Sequence, residues 1–353
     1  MIGTASAPAS AVIRLSDLQD GQEAECFAAL VKKVRGTTTR DQPYVRCTFR
    51  DKRVSLEANL WHDHRLHNQA LHWAEGIAFR LRVRGELKPK YGLQLDILEI
   101  RPAGPGDEAD GYDFYDLVEG SKYPHGSCYA KILGFIDAQV RDAKLRRLVE
   151  QILEEHADLF QKLPAAQNLH HGYSGGLVEH VWSVTRVCVQ LANHYASYYT
   201  ELNPPLNKDV IVAAAILHDI GKLRELEYHP VETKYTKHGN LIGHILMGRD
   251  LVRDTARRID DFPEETLLLL EHAILAHHGK PEYGAPKAPL TLEALIVHYA
   301  DEIDAKINAV VRERLRSTTD GDFTDKIFAV DNRRFYKGIP VELPPDDDPS
   351  ALA

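Results

Sequence analysis

The sequence predicts an α+β chain of two parts, a small N-terminal β-barrel followed by an all-α helical bundle. Three observations predict it. Apolar residues recur with a period of two from about Val12 to Pro102 and with a helical period further on. The Gly/Pro/acidic stretch GPGDEADG, residues 104–111, falls between the two patterns and reads as a linker. Charge changes sign at the same place: residues 12–101 carry sixteen Lys/Arg against twelve Asp/Glu, a balance of +4, so the remainder sums to −13. A length of 353 residues favours two domains over one, and 44% hydrophobic with 27% charged residues excludes disorder throughout.

Residues 1–11 are expected to be a flexible N-terminus; MIGTASAPAS has neither the basic nor the apolar region of a signal peptide. No apolar run approaches the roughly 20 residues that span a bilayer, so the expectation is a cytoplasmic protein without membrane contact. Residues 12–103 form the barrel. In GIAFRLRVRGELK, Ile77, Phe79, Leu81 and Val83 point one way and Arg80, Arg82 and Arg84 the other. Tyr91, Leu93, Leu95 and Ile97 share a face of the next strand, and YVRCTFRDKRVSLEANLW holds two strands around Asp51-Lys52. About five short strands in this length suit a closed barrel of the OB type. The histidines of WHDHRLHNQALHW fit a polar helix or loop as well as a ligand set, and no metal is assigned to them.

Residues 112–316 are the helical domain, with helices predicted near 127–142, 143–160, 177–195, 208–220, 241–258, 264–278 and 291–312. Residues 317–353 are a C-terminal extension whose end, VELPPDDDPSALA, reads as a disordered acidic tail. Cys26, Cys47, Cys128 and Cys188 form no CxxC pair, which argues against a disulfide framework or a zinc ribbon. The net charge of −9 argues against coating nucleic acid by charge alone.

Twelve of the eighteen histidines lie between His170 and His298, and several are predicted to face inward. His180 shares a stripe with Val184, Val187 and Leu191. His218 and Asp219 end an almost wholly apolar helix, with Gly221 as its C-cap. His244 lines up with Leu241, Gly248 and Leu251; His277 and His278 end a helix with the stripe Leu267, Leu270, Ile274; Asp301 sits among Ala294, Val297 and Ala305. Lone buried imidazoles and carboxylates are costly, and bound divalent metal would satisfy them together. Imidazole and carboxylate without thiolate suit manganese, iron, cobalt or zinc, with manganese the leading expectation.

The ordered stretches HHGYSGGLVEH, ILHDIGK, HGNLIGH, LAHHG and TLEALIVHYADEIDAK resemble the HD superfamily of metal-dependent phosphohydrolases, and among them the YhaM-type 3′-to-5′ exoribonucleases, which also carry an N-terminal OB-type barrel. The resemblance runs from about Val12 to Lys337 and implies an HD-domain helical bundle. It also implies two metals, one held by His180, His218, Asp219 and Asp301 and one by His244, His277 and His278, with Asp219 bridging. Asp219 and Lys222 are the catalytic candidates, Lys222 as a point charge for a phosphate oxygen, with neutralisation of the helix C-terminus as its alternative role. The implied activity is removal of nucleotides from the 3′ end of single-stranded RNA, with single-stranded DNA a second substrate, releasing 5′-mononucleotides.

His170 and His171 precede the first ligand helix and are placed to touch substrate, solvated loop histidines being the alternative. Tyr173 would stack on a base or serve as a packing anchor. Arg80, Arg82 and Arg84, with Phe49, Trp61 and Tyr91 near Arg50, Lys52 and Arg53, would give a stacking and phosphate-tracking surface, unless they are ordinary core aromatics and solvated arginines. His298, three residues before Asp301, is expected to support the ligands from behind or cap a helix. Two other functions remain open: an HD-type phosphodiesterase acting on cyclic dinucleotides or nucleotides, disfavoured because HHGKPEYGAP lacks the GYP triplet of that branch, and a non-catalytic nucleic-acid-binding protein. A homo-oligomer is compatible with the sequence.

Overall fold

The computed structural model describes residues 12–38, 41–89, 91–113, 117, 120–124, 126–165, 172–228, 233–316 and 321–339. It is a mixed α+β structure, an N-terminal sheet followed by a helical region. The sheet comprises β1 (Val12–Arg14), β2 (Glu23–Thr37), β3 (Pro43–Arg50), β4 (Ser55–Trp61), then a single helical turn α1 (His67–Ala70), β5 (Ala78–Lys88) and β6 (Gly92–Pro102). β2 pairs antiparallel with both β3 and β5, β3 with β4, and β5 with β6, while β4 meets β6 in parallel at Glu57–Gln94, so the pairings run in a ring. Phe49, Leu60, Leu81, Val83 and Ile97 fill its interior.

Two local features differ from the sequence reading. β2 lacks clean alternation because both its faces are buried: Ala24, Cys26, Ala28 and Leu30 face the interior, and Phe27 and Ala29 are covered by Leu117 and Tyr112. The stretch 104–111 is not a free linker. Pro105–Asp110 form a 3-10 turn tied to the sheet by buried Asp107, which accepts hydrogen bonds from Arg80, Arg101 and the Gly104 N–H.

The helical region contains α2 (Ser127–Gln139), α3 (Ala143–Lys162), α4 (Gly176–Tyr198), α5 (Lys208–Leu217), α6 (Lys222–Glu225), a small β7/β8 ribbon (Leu226–Glu227, Lys234–Tyr235), α7 (Lys237–Ile242), α8 (His244–Ala256), α9 (Glu264–Ala276) and α10 (Leu292–Arg316). α3 starts where Asp142 accepts from the Lys144 and Leu145 N–H groups, and α5 where Asn207 accepts from Val210 N–H. α5 is apolar all round because α2, α3, α4, α9 and α10 pack on it; every residue from Val210 to Leu217 is buried. A helix so enclosed delivers its C-terminal neighbours, His218 and Asp219, to the edge of the core. No helix among the described residues is long and apolar enough to cross a membrane. The predicted flexible N-terminus and acidic C-terminal end lie outside the described residues.

Candidate metal centre

Two helix C-termini build the middle of the site with the same device. His218 and His277 are the C-cap residues of α5 and α9, and the Nδ1 of each lies against a carbonyl three residues back, Ala215 O at 2.8 Å and Ile274 O at 2.7 Å. A carbonyl only accepts, so each Nδ1 carries the proton and each Nε2 presents its lone pair inward. The bond also satisfies a carbonyl that the helix end leaves without a partner. The same logic sets His278, whose Nδ1 donates to Tyr283 O at 2.6 Å.

α4 contributes His180 and α10 contributes Asp301. The Nδ1 of His180 is held at 2.8 Å by Asp304, whose other oxygen accepts from the Ser183 hydroxyl. His244 enters from the first position of α8. Its backbone N–H and Nδ1 both donate to Glu225 Oε1, at 2.9 and 3.1 Å. The predicted continuous helix 241–258 is broken at Gly243, with φ 81° and ψ 154°, so Leu241 lies on α7, 76% exposed and off the His244 stripe. Gly221 corrects a second expectation. It is no left-handed cap, having φ −64°; its role is space, since a Cβ there would meet His244 O at 1.9 Å.

The side chains gather in two groups, His180/His218/Asp301 and His244/His277/His278, each with ligand atoms within 4.8 Å of one another. Asp219, 2% exposed, lies between them. Its Oδ2 faces the first group, 3.6 Å from His180 Nε2 and 3.5 Å from His218 Nε2, and its Oδ1 faces the second, 3.4 Å from His244 Nε2 and 3.8 Å from His277 Nε2. His180 Nε2 is 3.1 Å from Asp301 Oδ1. Donor atoms at roughly 2.1 Å from a shared cation stand about 3.0–3.5 Å apart, so most of these separations suit metal ligands.

The electrostatics agree at His277 and Asp219 but run the other way at His180, whose two carboxylate partners favour the protonated ring, so that a cation would have to displace its Nε2 proton. Burial pushes His277 well below the ordinary imidazole range, helped by His278 and His218, the direction that suits a candidate ligand. Burial would raise Asp219, but Lys222, His218, His244 and His277 outweigh it and keep the carboxylate ionised. Burial also acts to lower His180, yet Asp301 and Asp304 prevail and carry it up to about 10. The decisive test of fit is polar satisfaction. Asp219 Oδ1, His244 Nε2 and His277 Nε2 are buried and have no hydrogen-bond partner among the described residues, although they converge on one another. Buried orphans of that kind are rare, and a divalent cation satisfies all three.

Asp304 and Glu225 were not singled out from the sequence. Asp304 had a signal, standing one turn after Asp301 on the same helix; Glu225 had only its burial, invisible in the sequence. Replacing Asp304 with alanine is expected to weaken metal retention about 10- to 100-fold by freeing the His180 ring. Competition with a calibrated chelator measures this, and unchanged affinity would show that His180 needs no such support.

Lys222 is buried and its Nζ sits 2.5 Å from Asp219 Oδ2. His298 donates its Nδ1 to His277 O at 2.7 Å, at the C-terminus of α9, and lines the same cavity as Asp219 and Asp301. Tyr173 is built into the scaffold: burial raises its phenol, with hydrogen bonds to Glu179 and Asn308, and Arg312 lies over the ring at 5.4 Å. His170 and His171 lie outside the described residues.

The cationic stripe of β5 is charge-compensated. Arg80 pairs with Glu25, Asp107 and Asp110, Arg82 with Glu99 at 2.7 Å, and Arg84 with Glu23. Phe49 is a core residue between Trp73 and Phe79, whereas Trp61 and Tyr91 are exposed. In the 62–72 stretch, His67 is buried against Leu60 O and His64 accepts from Leu66 N–H, a structural use of both.

Residues 177–306 match the family model described as HD domain. The match covers α4 to the middle of α10, every candidate ligand included, and supports a metal-dependent phosphohydrolase. Among solved structures, the chain is similar to a domain of replication protein A from Methanococcus maripaludis, with 13% identity over 26% of this chain and 93% of that one, at a TM-score of 0.22. It is also similar to "a putative aspartyl-tRNA synthetase from Leishmania major Friedlin", with 8% identity over 55% of this chain and 34% of that one, at a TM-score of 0.24. Likenesses at these scores decide nothing about fold or function.

Proposed function

We propose that this chain is a metal-dependent 3′-to-5′ exonuclease that hydrolyses phosphodiester bonds of single-stranded RNA to 5′-mononucleotides, with single-stranded DNA a second substrate. The observation that carries the reading is Asp219, one carboxylate set between two imidazole groups, with its Oδ1 and the inward nitrogens of His244 and His277 buried without partners among the described residues. In this reading His180, His218, Asp219 and Asp301 hold one cation and His244, His277 and His278, with Asp219, the other. Bound cations, manganese by preference, would activate water near neutral pH and neutralise charge developing on the phosphate.

The chain's own residues do the remainder. The helix C-termini and the two carboxylates behind His180 and His244 fix the tautomers and ring orientations. Lys222, held beside the shared carboxylate, offers its ammonium to a non-bridging phosphate oxygen. The ring of strand pairings supports reading the N-terminal part as an OB-type barrel. Arg82 and Arg84 sit in exposed, solvent-screened ion pairs, which a nucleic-acid phosphate can exchange. The five ordered motifs that resemble YhaM-type exoribonucleases favour RNA over other phosphodiesters.

Incubation of the full chain with 5′-labelled single-stranded RNA and manganese is expected to give a ladder shortening by one nucleotide, abolished by chelator. Cleavage confined to a cyclic dinucleotide would replace this reading with the other phosphodiesterase. RNA binding that survives chelation without any cleavage would leave a binding protein.

A further inference from the structure

The cavity over the metal centre, about 470 Å³, has a wall that the HD match does not include. Its floor is Asp219, His277, His278 and Asp301, while Phe328, Asp331 and Asn332 of the C-terminal extension close one side. Only the end of the extension, VELPPDDDPSALA, is predicted as a tail, and residues 321–339 before it form a clasp. Phe323 bridges to Tyr336 and Ile327 to Arg333 as in a short antiparallel pair, with Thr324 N–H bonded to Phe335 O at 2.9 Å and Lys337 N–H to Asp322 O at 2.7 Å. Thr324, Ile327 and Val330 are buried beneath it.

Phe328 stands between two of those anchors, in the 3-10 turn Phe328–Val330, and yet is 75% exposed. A large aromatic ring held on an anchored turn at the rim of a cavity, with water on its faces, suits stacking on a planar ligand. Tyr283, another exposed aromatic, lines the same cavity, and its position relative to the centre is fixed because its own carbonyl holds His278. The volume lies within the roughly 300–1,000 Å³ of small-molecule sites.

We propose that Phe328 is the base-binding residue of this site, stacking on the nucleobase of the nucleotide whose phosphate lies at the metal centre. The inference rests on the exonuclease reading for its ligand class, and deepens it by placing base contact on the C-terminal clasp. Asp331 and Asn332, next in the same wall, bring hydrogen-bonding groups to the side where a sugar would sit.

The test is binding of a product that cannot be turned over. With the manganese-loaded full chain, calorimetry is run with 5′-AMP and with ribose 5-phosphate, which shares the phosphate and lacks the base. The wild type should prefer 5′-AMP. F328A should lose roughly 5- to 100-fold in 5′-AMP affinity while ribose 5-phosphate is unchanged, and Phe328→Trp should restore the preference. Equal affinities of the wild type for the two ligands, an unchanged preference in F328A, or a parallel loss of both ligands would each overturn the proposal. If Phe328 sets the 5′-AMP preference while labelled RNA stays intact, base stacking stands and the exonuclease reading falls. If RNA is degraded and F328A binds 5′-AMP as well as the wild type, stacking falls and the exonuclease reading stands.

Discussion

Asp219→Ala is expected to lose bound metal and phosphodiester hydrolysis together, with turnover falling on the order of 10³-fold or more, as when one member of a co-operating catalytic set is removed. Among the candidate ligands of the described residues, the Asp219 carboxylate faces both imidazole groups, so its loss strips both of a negative charge at once. The variant also leaves Lys222, 6% exposed, without its carboxylate partner, and breaking a buried pair from one side costs roughly 3–5 kcal/mol. Asp219→Asn separates the two effects. It keeps the shape and a carbonyl oxygen for Lys222 but halves the site's anionic character, so it should fold like the wild type and still lose metal. Elemental analysis and initial rates at fixed manganese, with circular dichroism for folding, distinguish these outcomes. Full activity in the folded alanine variant would remove Asp219 from the centre.

The parts of this site legible in the sequence were those fixed by local spacing. His218-Asp219 after an almost wholly apolar helix, and His277-His278 after a helix with the inner stripe Leu267, Leu270, Ile274, end at the margin of a core. What stayed hidden was tertiary. Glu225 supports His244 from 19 residues away across a turn, and Asp304 supports His180 from 124 residues away on another helix. Neither separation leaves a periodic trace. The stripe Arg80, Arg82, Arg84 is legible as one face of a strand, but its neutralisation by Glu25, Glu99 and Glu23 depends on strand register. The C-terminal clasp escapes a sequence reading because two isolated bridges, an aromatic contact and one side-chain cap order it, without any run of apolar alternation.

Gly221→Ala makes the most economical test of how the second imidazole group is held. The residue's φ of −64° is open to any amino acid, so the backbone itself offers alanine no strain. The obstacle is contact: the new methyl would sit 1.9 Å from His244 O, 2.5 Å from Gly248 N and 2.7 Å from His244 C, all backbone atoms of α8 that cannot rotate aside. α6 and α8 must then separate, at about 1–3 kcal/mol for an overpacked contact. His244 would retreat from the Asp219 oxygen now 3.4 Å away. A displacement of about 1 Å at a reacting centre lowers turnover roughly 10²-fold, so the expected result is a lower melting temperature, weakened metal binding and turnover reduced by that order. Gly134→Ala supplies the control, because a Cβ on that exposed face of α2 meets nothing within 4 Å. Alanine there should leave turnover unchanged and raise stability by about 0.5–1 kcal/mol. Equal behaviour of the two variants in thermal melts and rates would mean that α6 and α8 do not touch at Gly221, and that His244 reaches Asp219 by some other support.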